Sequence, residues 1–184
     1  MSDERFIVGL AALDVGGLAR LRRSAGQTLA ESQNIYDVFF SLIVGTPKAE
    51  YHQETYFLLA TLYALTARGS DERRSGGGLS LGLALRGLRQ KQLTATGRSD
   101  NDKISLDRRV AALLDADADQ LPFRLRQIVR LVHSHEQKLD WLKLLQDLLY
   151  WNHPKRFVQS RWAREYYVGT SVEPLNKPNT PKEA

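Results

Sequence analysis

Apolar residues along this chain gather in blocks at helical spacing, separated by clusters of Gly, Pro, Asn, Asp and Ser. Phe6, Ile7, Leu10 and Leu13 predict a short helix over 4–13, and Asp14 is placed to cap a second over 15–23. The block Ile35–Val44 is too apolar to face water and predicts a buried helix, stopped by Gly45 and Pro47. A longer helix over 49–67 follows, carrying Tyr56, Phe57, Leu58, Leu59, Leu62, Tyr63 and Leu65 and ending at Gly69. Ser80 caps a helix over 81–91, Ser105 opens another through Leu114, and Leu125, Ile128, Val129 and Val132 form the inward side of the next. Residues 139–151, LDWLKLLQDLLYW, are apolar around most of a helical circumference. Asp140, Lys143, Gln146 and Asp147 share one narrow stripe, with Lys143 and Asp147 spaced to pair. That block predicts the core helix over which the others pack. Asn152 and Pro154 then open a last helix over 154–167.

No block alternates with the period of a strand, so the pattern predicts an all-α fold, a compact bundle of about eight or nine helices. One helical domain over 1–170 is expected, with room for two lobes, 1–93 and 104–170, about the polar 94–103 loop. Residues 171–184 are expected to be a disordered tail, rich in Pro, Asn, Lys and Thr. The apolar run of 139–151 is too short to span a bilayer, and the acidic MSDERFIVGL does not read as a secretory signal.

Charge changes the picture more than composition does. The net charge of +5 is unevenly spread: residues 1–85 hold 8 Lys/Arg against 9 Asp/Glu, whereas residues 86–170 hold 16 against 10. Most of the surplus is arginine, whose planar fork suits bidentate contact with phosphate. A basic face on a helical domain points to nucleic acid, and a merely solvated basic surface is the plainer alternative. Arg20, Arg22 and Arg23 lie in a last helical turn, where the helix dipole alone accounts for them. Arg108 and Arg109 lie in a first turn, against the dipole, which makes them better candidates for function. Arg126 and Arg130, one turn apart beside Arg124, suggest a shared anionic partner. The aromatics interleaved with Lys155, Arg156, Arg161 and Arg164 could stack on bases, but Trp162 reads as core.

Catalytic chemistry finds little support. There is no cysteine, so no disulfide, thiolate site or cysteine nucleophile, in keeping with a reducing cytoplasm. The GSDERRSGGG stretch of 69–78 lacks the strand and the Lys-Ser/Thr pair of a phosphate loop. His133, His135 and Glu136 lack the spacing that puts two histidines on one helical face, and read as exposed histidines. No cofactor or metal is expected.

Taken together and in order, several motifs resemble the CasB family, the small subunit of the type I-E CRISPR surveillance complex Cascade. They are A-L-D-x-G-x-x-A-x-L-R-R (12–23), S-L-G-x-A-L (80–85), D-R-R-V-A-A-L-L (107–114), L-R-x-I-V-R-L (125–131), L-D-W-x-x-L-L-x-D-L-x-x-W (139–151) and W-A-R-E-Y-Y (162–167). The resemblance implies a non-catalytic helical subunit, present as a pair beside other Cascade subunits and acting in antiviral defence. It implies contact with guide RNA, target DNA and the displaced strand through backbone phosphates. Arg22 and Arg23, Arg108 and Arg109, and Arg126 fall on the family's arginine positions, whereas Arg86, Arg89, Arg130, Arg156 and Arg164 rest on charge alone. A helix-turn-helix repressor and a protein-only adaptor are the alternatives. The first would carry more amide side chains on its basic helices, and the second a large exposed apolar patch.

Overall fold

The computed structural model describes residues 2–67, 77–99 and 101–169; the 171–184 tail and nearly all of the 69–78 loop lie outside these. Ten α-helices and one 3-10 turn make up the described residues: α1 (Ser2–Ala12), α2 (Val15–Arg23), the turn Gln33–Ile35, α3 (Tyr36–Ile43), α4 (Pro47–Tyr51), α5 (Gln53–Thr66), α6 (Leu81–Ala95), α7 (Ser105–Leu114), α8 (Leu121–Ser134), α9 (Trp141–Leu149) and α10 (Phe157–Tyr167). Two isolated β-bridges, Ala25 with Gln27 and Leu79 with Leu139, occur among them and no strand. The all-α expectation holds. The extra helix is α4, because the chain breaks at His52 (φ −128°, ψ 34°) inside the block read as 49–67. Pro47 does not stop α3 but starts α4, where its missing N–H costs nothing.

Short polar side chains set several helix starts. Asp14 Oδ1 accepts from Gly17 N–H (2.7 Å), Ser80 Oγ from Leu83 N–H (3.4 Å) and Asp140 Oδ1 from Lys143 N–H (2.9 Å). Each satisfies a donor that has no partner within its own helix, and such a cap contributes about 1 kcal/mol. Asp140 is therefore the N-cap of α9 and not part of its flank, so α9 is shorter than the 139–151 block. The last helix begins at Phe157 and not at Pro154, because Arg156 adopts a left-handed conformation (φ 46°) at its N-cap.

The centre of the fold differs from the expectation. Helix α5 packs against α2, α4, α8 and α9, and buries Tyr56, Phe57, Leu59, Ala60, Thr61, Leu62, Tyr63 and Ala64 in succession. Its small residues Ala60, Thr61 and Ala64 let neighbours approach from several sides. Helix α9 buries Leu144, Leu145, Asp147 and Leu148, leaves Gln146 exposed, and packs on α5 and α1. It is one wall of the core, not its axis. Helix α10 lies along α6 and touches α7, which in turn packs on α8. One cluster of buried side chains runs from Phe6 in α1 to Tyr166 in α10, and Trp162 (1% exposed) belongs to it as expected. No helix of the described residues is long and apolar enough to cross a membrane.

Gly78 leads into α6 against the backbone just before α9. Leu79 N–H donates to Lys138 O and Asp140 N–H to Leu79 O, both at 2.9 Å. A Cβ on Gly78 would overlap the Leu139 backbone, so only glycine allows this approach.

Candidate functional site

The ten arginines singled out in the sequence divide in two. Five are held by the fold itself. Arg22 Nε donates to Ala64 O (2.9 Å) and its guanidinium also to Ala67 O (3.0 Å), closing the end of α5. Arg86 donates to Tyr166 O (3.3 Å) and Tyr167 O (3.0 Å) at the end of α10. Arg156 donates to Leu114 O (2.5 Å) at the end of α7. Arg126 donates to Ala25 O (2.9 Å) just beyond α2, lying against Gly26 where a side chain would collide with it. The last carbonyls of a helix have no intrahelical donor and carry the negative end of its dipole, so a guanidinium is well suited there.

Arg89 is buried, at 7% exposure. Its Nε donates to Asp107 Oδ1 (3.0 Å), its guanidinium to Asp102 O (3.1 Å), and it sits over the Tyr166 ring at 6.0 Å. Its guanidinium is spent within the fold. Asp107 also accepts from Tyr166 Oη–H (2.6 Å) and from Ile104 N–H (2.7 Å). Burial pushes the Asp107 carboxyl up, but the bonds from Tyr166, Ile104 and Arg89 outweigh it and hold the group below its ordinary value. The same burial, with Asp107 beside it, pushes the Tyr166 hydroxyl well above its ordinary value. This knot ties α6, α7 and α10 together, and so fixes the helix that carries the next two arginines.

The other five, Arg23, Arg108, Arg109, Arg130 and Arg164, are exposed and make no hydrogen bond or ion pair to the described residues. Arg109 from α7 and Arg130 from α8 line one open surface groove of about 460 Å³, with Gln127, Leu131 and Ser134. No carboxylate of the described residues lines it. Arg126 is directed to the loop after α2, and Arg130 to this groove. Gln127 and Ser134 escaped the sequence reading, although Phe123, Gln127, Arg130 and Ser134 recur at the spacing of one outward helical face. The groove offers two charge-assisted forks and one amide as donors to phosphate oxygens, whereas the Ser134 hydroxyl already donates to Leu131 O (2.8 Å).

No group of three or more His, Asp or Glu among the described residues could hold a metal ion. His133 and His135 are half-buried, not exposed, and His135 Nδ1 lies 2.9 Å from Leu131 O and 3.1 Å from Ser134 Oγ. Asp147, on the stripe of α9, is buried and satisfied by Arg161, by Trp162 Nε1–H (2.6 Å) and by Lys143 Nζ (3.4 Å). The expected Lys143–Asp147 pair is present.

Comparison with known proteins gives consistent results. The family model described as CRISPR-associated protein Cse2 matches residues 17–167. A CRISPR-associated protein Cse2 from Thermus thermophilus is 43% identical over 126 residues, which cover 68% of this chain and 63% of that relative, less than two thirds of its length. A solved Cse2-family protein, also from Thermus thermophilus, superposes with a TM-score of 0.71 at 34% identity, covering 91% of this chain and 99% of that one. CasB of M. ruber gives 0.68 at 32% identity over 91% and 93% of the two chains. A chain of a CRISPR RNA-guided surveillance complex shares the fold, with a TM-score of 0.68 at 19% identity over 90% and 91%.

Proposed function

Because the chain belongs to the CRISPR-associated Cse2 family, we propose that it is a non-catalytic, nucleic-acid-binding subunit of a Cascade-type surveillance ribonucleoprotein. Within it, the subunit pairs with a second copy, meets sister subunits, and contacts guide RNA, target DNA and the displaced strand in the cytoplasm. The observation that carries the nucleic-acid contact is the pairing of Arg109 with Arg130 across a groove that no carboxylate of the described residues lines. Neither cation is bonded to a described residue, and the exposed Arg108 precedes Arg109 on α7. Arg23 and Arg164 are the further candidates for phosphate. Such contacts position a strand without reading its sequence.

The test is a target-DNA titration of the reconstituted complex carrying Arg108→Glu with Arg109→Glu. Two phosphate contacts become two repulsions, so affinity should fall at least tenfold, and fall more at low salt than at high. Each lost contact should also flatten log K against log salt by about 0.9 for duplex DNA. Thermal unfolding of the isolated subunit should stay put. Unchanged target affinity in the double variant would refute the assignment of the groove. The subunit supplies binding and no chemistry, so purified protein given magnesium should leave labelled DNA, RNA and ATP intact.

A further inference from the structure

The polar stripe of α9 has a use that the arginine groove does not touch. Lys143, Gln146, Asp147 and Tyr150 recur at i, i+3, i+4 and i+7, and line a second open groove, of about 340 Å³. Its other walls are Leu149 of α9, Phe157 and Arg161 of α10, Lys48 of α4 and Asp3 of α1. At one end stand two large rings left open to solvent: Tyr150 is 53% exposed and Phe157 is 39% exposed. Their centroids lie 5.9 Å apart, and His153 meets Phe157 edge-on at 4.9 Å. The left-handed Arg156, pinned to Leu114 O, sets the turn that presents these rings. Neither ring belongs to the core cluster, and both line the charged groove.

The charges inside select among occupants. Lys48, Lys143 and Arg161 face Asp3 and Asp147, an excess of one cation. Asp147 is bonded as described above, and Asp3 accepts from Tyr56 Oη–H at 2.7 Å and lies 3.5 Å from Lys48 Nζ. Two carboxylates would repel a phosphate seated in the groove. An aliphatic side chain would strand the groove's amide and charges without partners. A flat, neutral ring bearing N–H donors and carbonyl acceptors suits both the ring faces and the polar wall. The exposed ammonium groups of Lys48 and Lys143, at the rim, suit the backbone that carries such a ring.

We propose that the Tyr150–Phe157 groove takes an unstacked base of single-stranded nucleic acid, stacked on the exposed rings and flanked by Lys48 and Lys143. A duplex hides its base faces in its own stack and cannot offer one. That the occupant is a nucleic-acid base rests on the function proposed above, but the site is separate from the Arg109–Arg130 groove.

The two are separated by titrating the full chain with a thymidine homopolymer of about 15 nucleotides, within the usual span of single-strand sites, and with an abasic strand of equal length and charge. The homopolymer should bind about fivefold tighter or better, the increment of one stacked base. Tyr150→Ala with Phe157→Ala should erase that advantage and leave abasic binding as it was. Tyr150→Leu with Phe157→Leu keeps apolar volume, guards against a folding defect, and should erase it equally. Arg109→Glu with Arg130→Glu should weaken both strands together and preserve their ratio. Equal binding of the two strands by the natural protein, or an advantage that survives both ring variants, would overturn the inference. So would ring variants that keep the advantage and shed a sister subunit from the complex, which would make the groove a protein contact. Loss of abasic binding alone would instead strike the phosphate reading and leave the base increment standing.

Discussion

A guanidinium serves this fold best where a helix has run out of donors. Arg22, Arg86 and Arg156 each finish a different helix, and Arg126 does the same for the loop beyond α2. Arg126→Glu would remove the donor and place a carboxylate against Ala25 O, so it should cost about 1–3 kcal/mol in urea denaturation. Arg130→Glu, one turn away but exposed, should stay within about 0.5 kcal/mol. The same result in both variants would mean that the two roles are wrongly divided. Among the carboxylates, Asp107 and Glu165 should act on stability with opposite signs. Asp107 is held below its ordinary value, so its contribution is present above the normal carboxylate range and is lost as pH falls through the depressed value. Glu165, 3% exposed and accepting from Ser80 Oγ–H at 2.7 Å, is raised, chiefly by burial. Its contribution is present at acid pH and is lost as pH rises through that raised value. Glu165→Gln, which still accepts from Ser80, should therefore be more stable than the natural protein at neutral pH. That gain should disappear near pH 4, about where an ordinary carboxyl titrates, when both are measured by denaturation.

At the scale of elements, a helix owes its place to how closely its neighbours can come. Helix α5 is central because Ala60 and Ala64 are both fully buried between partners. Ala60→Leu should overpack that junction and cost about 1–3 kcal/mol or more in chemical denaturation. Leu142→Ala in α9, half-buried, should cost less. Helix existence and many helix ends were legible in the sequence, since caps such as Asp14 and Ser80 are local signals. The ranking of helices was not. The dense leucines of 139–151 report apolar area, whereas centrality depends on partners that no local window contains. The site divides the same way. Exposed arginines such as Arg108 and Arg109 could be read from helical position. The carbonyl partners of Arg22 and Arg126 lie 42 and 101 residues away, and nothing in their own surroundings announces them.

For the whole molecule, an arginine bonded to a carbonyl is occupied but still charged. The net charge of +5 therefore acts at a distance through every arginine, the bonded ones included. The association rate with single strands should drop steeply with added salt, even for variants at Arg109 and Arg130, as stopped-flow mixing can show. The clasp of Leu79 on Leu139 has a consequence in time. It joins segments roughly sixty residues apart, and pairings across such separations form only after their loop has been closed. It should thus be absent from the barrier to folding and present only on its native side. Gly78→Ala, which pries the two backbones apart, should leave the refolding rate within about twofold and speed unfolding by tenfold or more. Refolding slowed as much as unfolding is quickened would place the clasp in the nucleus instead. On the expected outcome, one hydrogen atom in place of a methyl group sets how long this chain stays folded once it has formed.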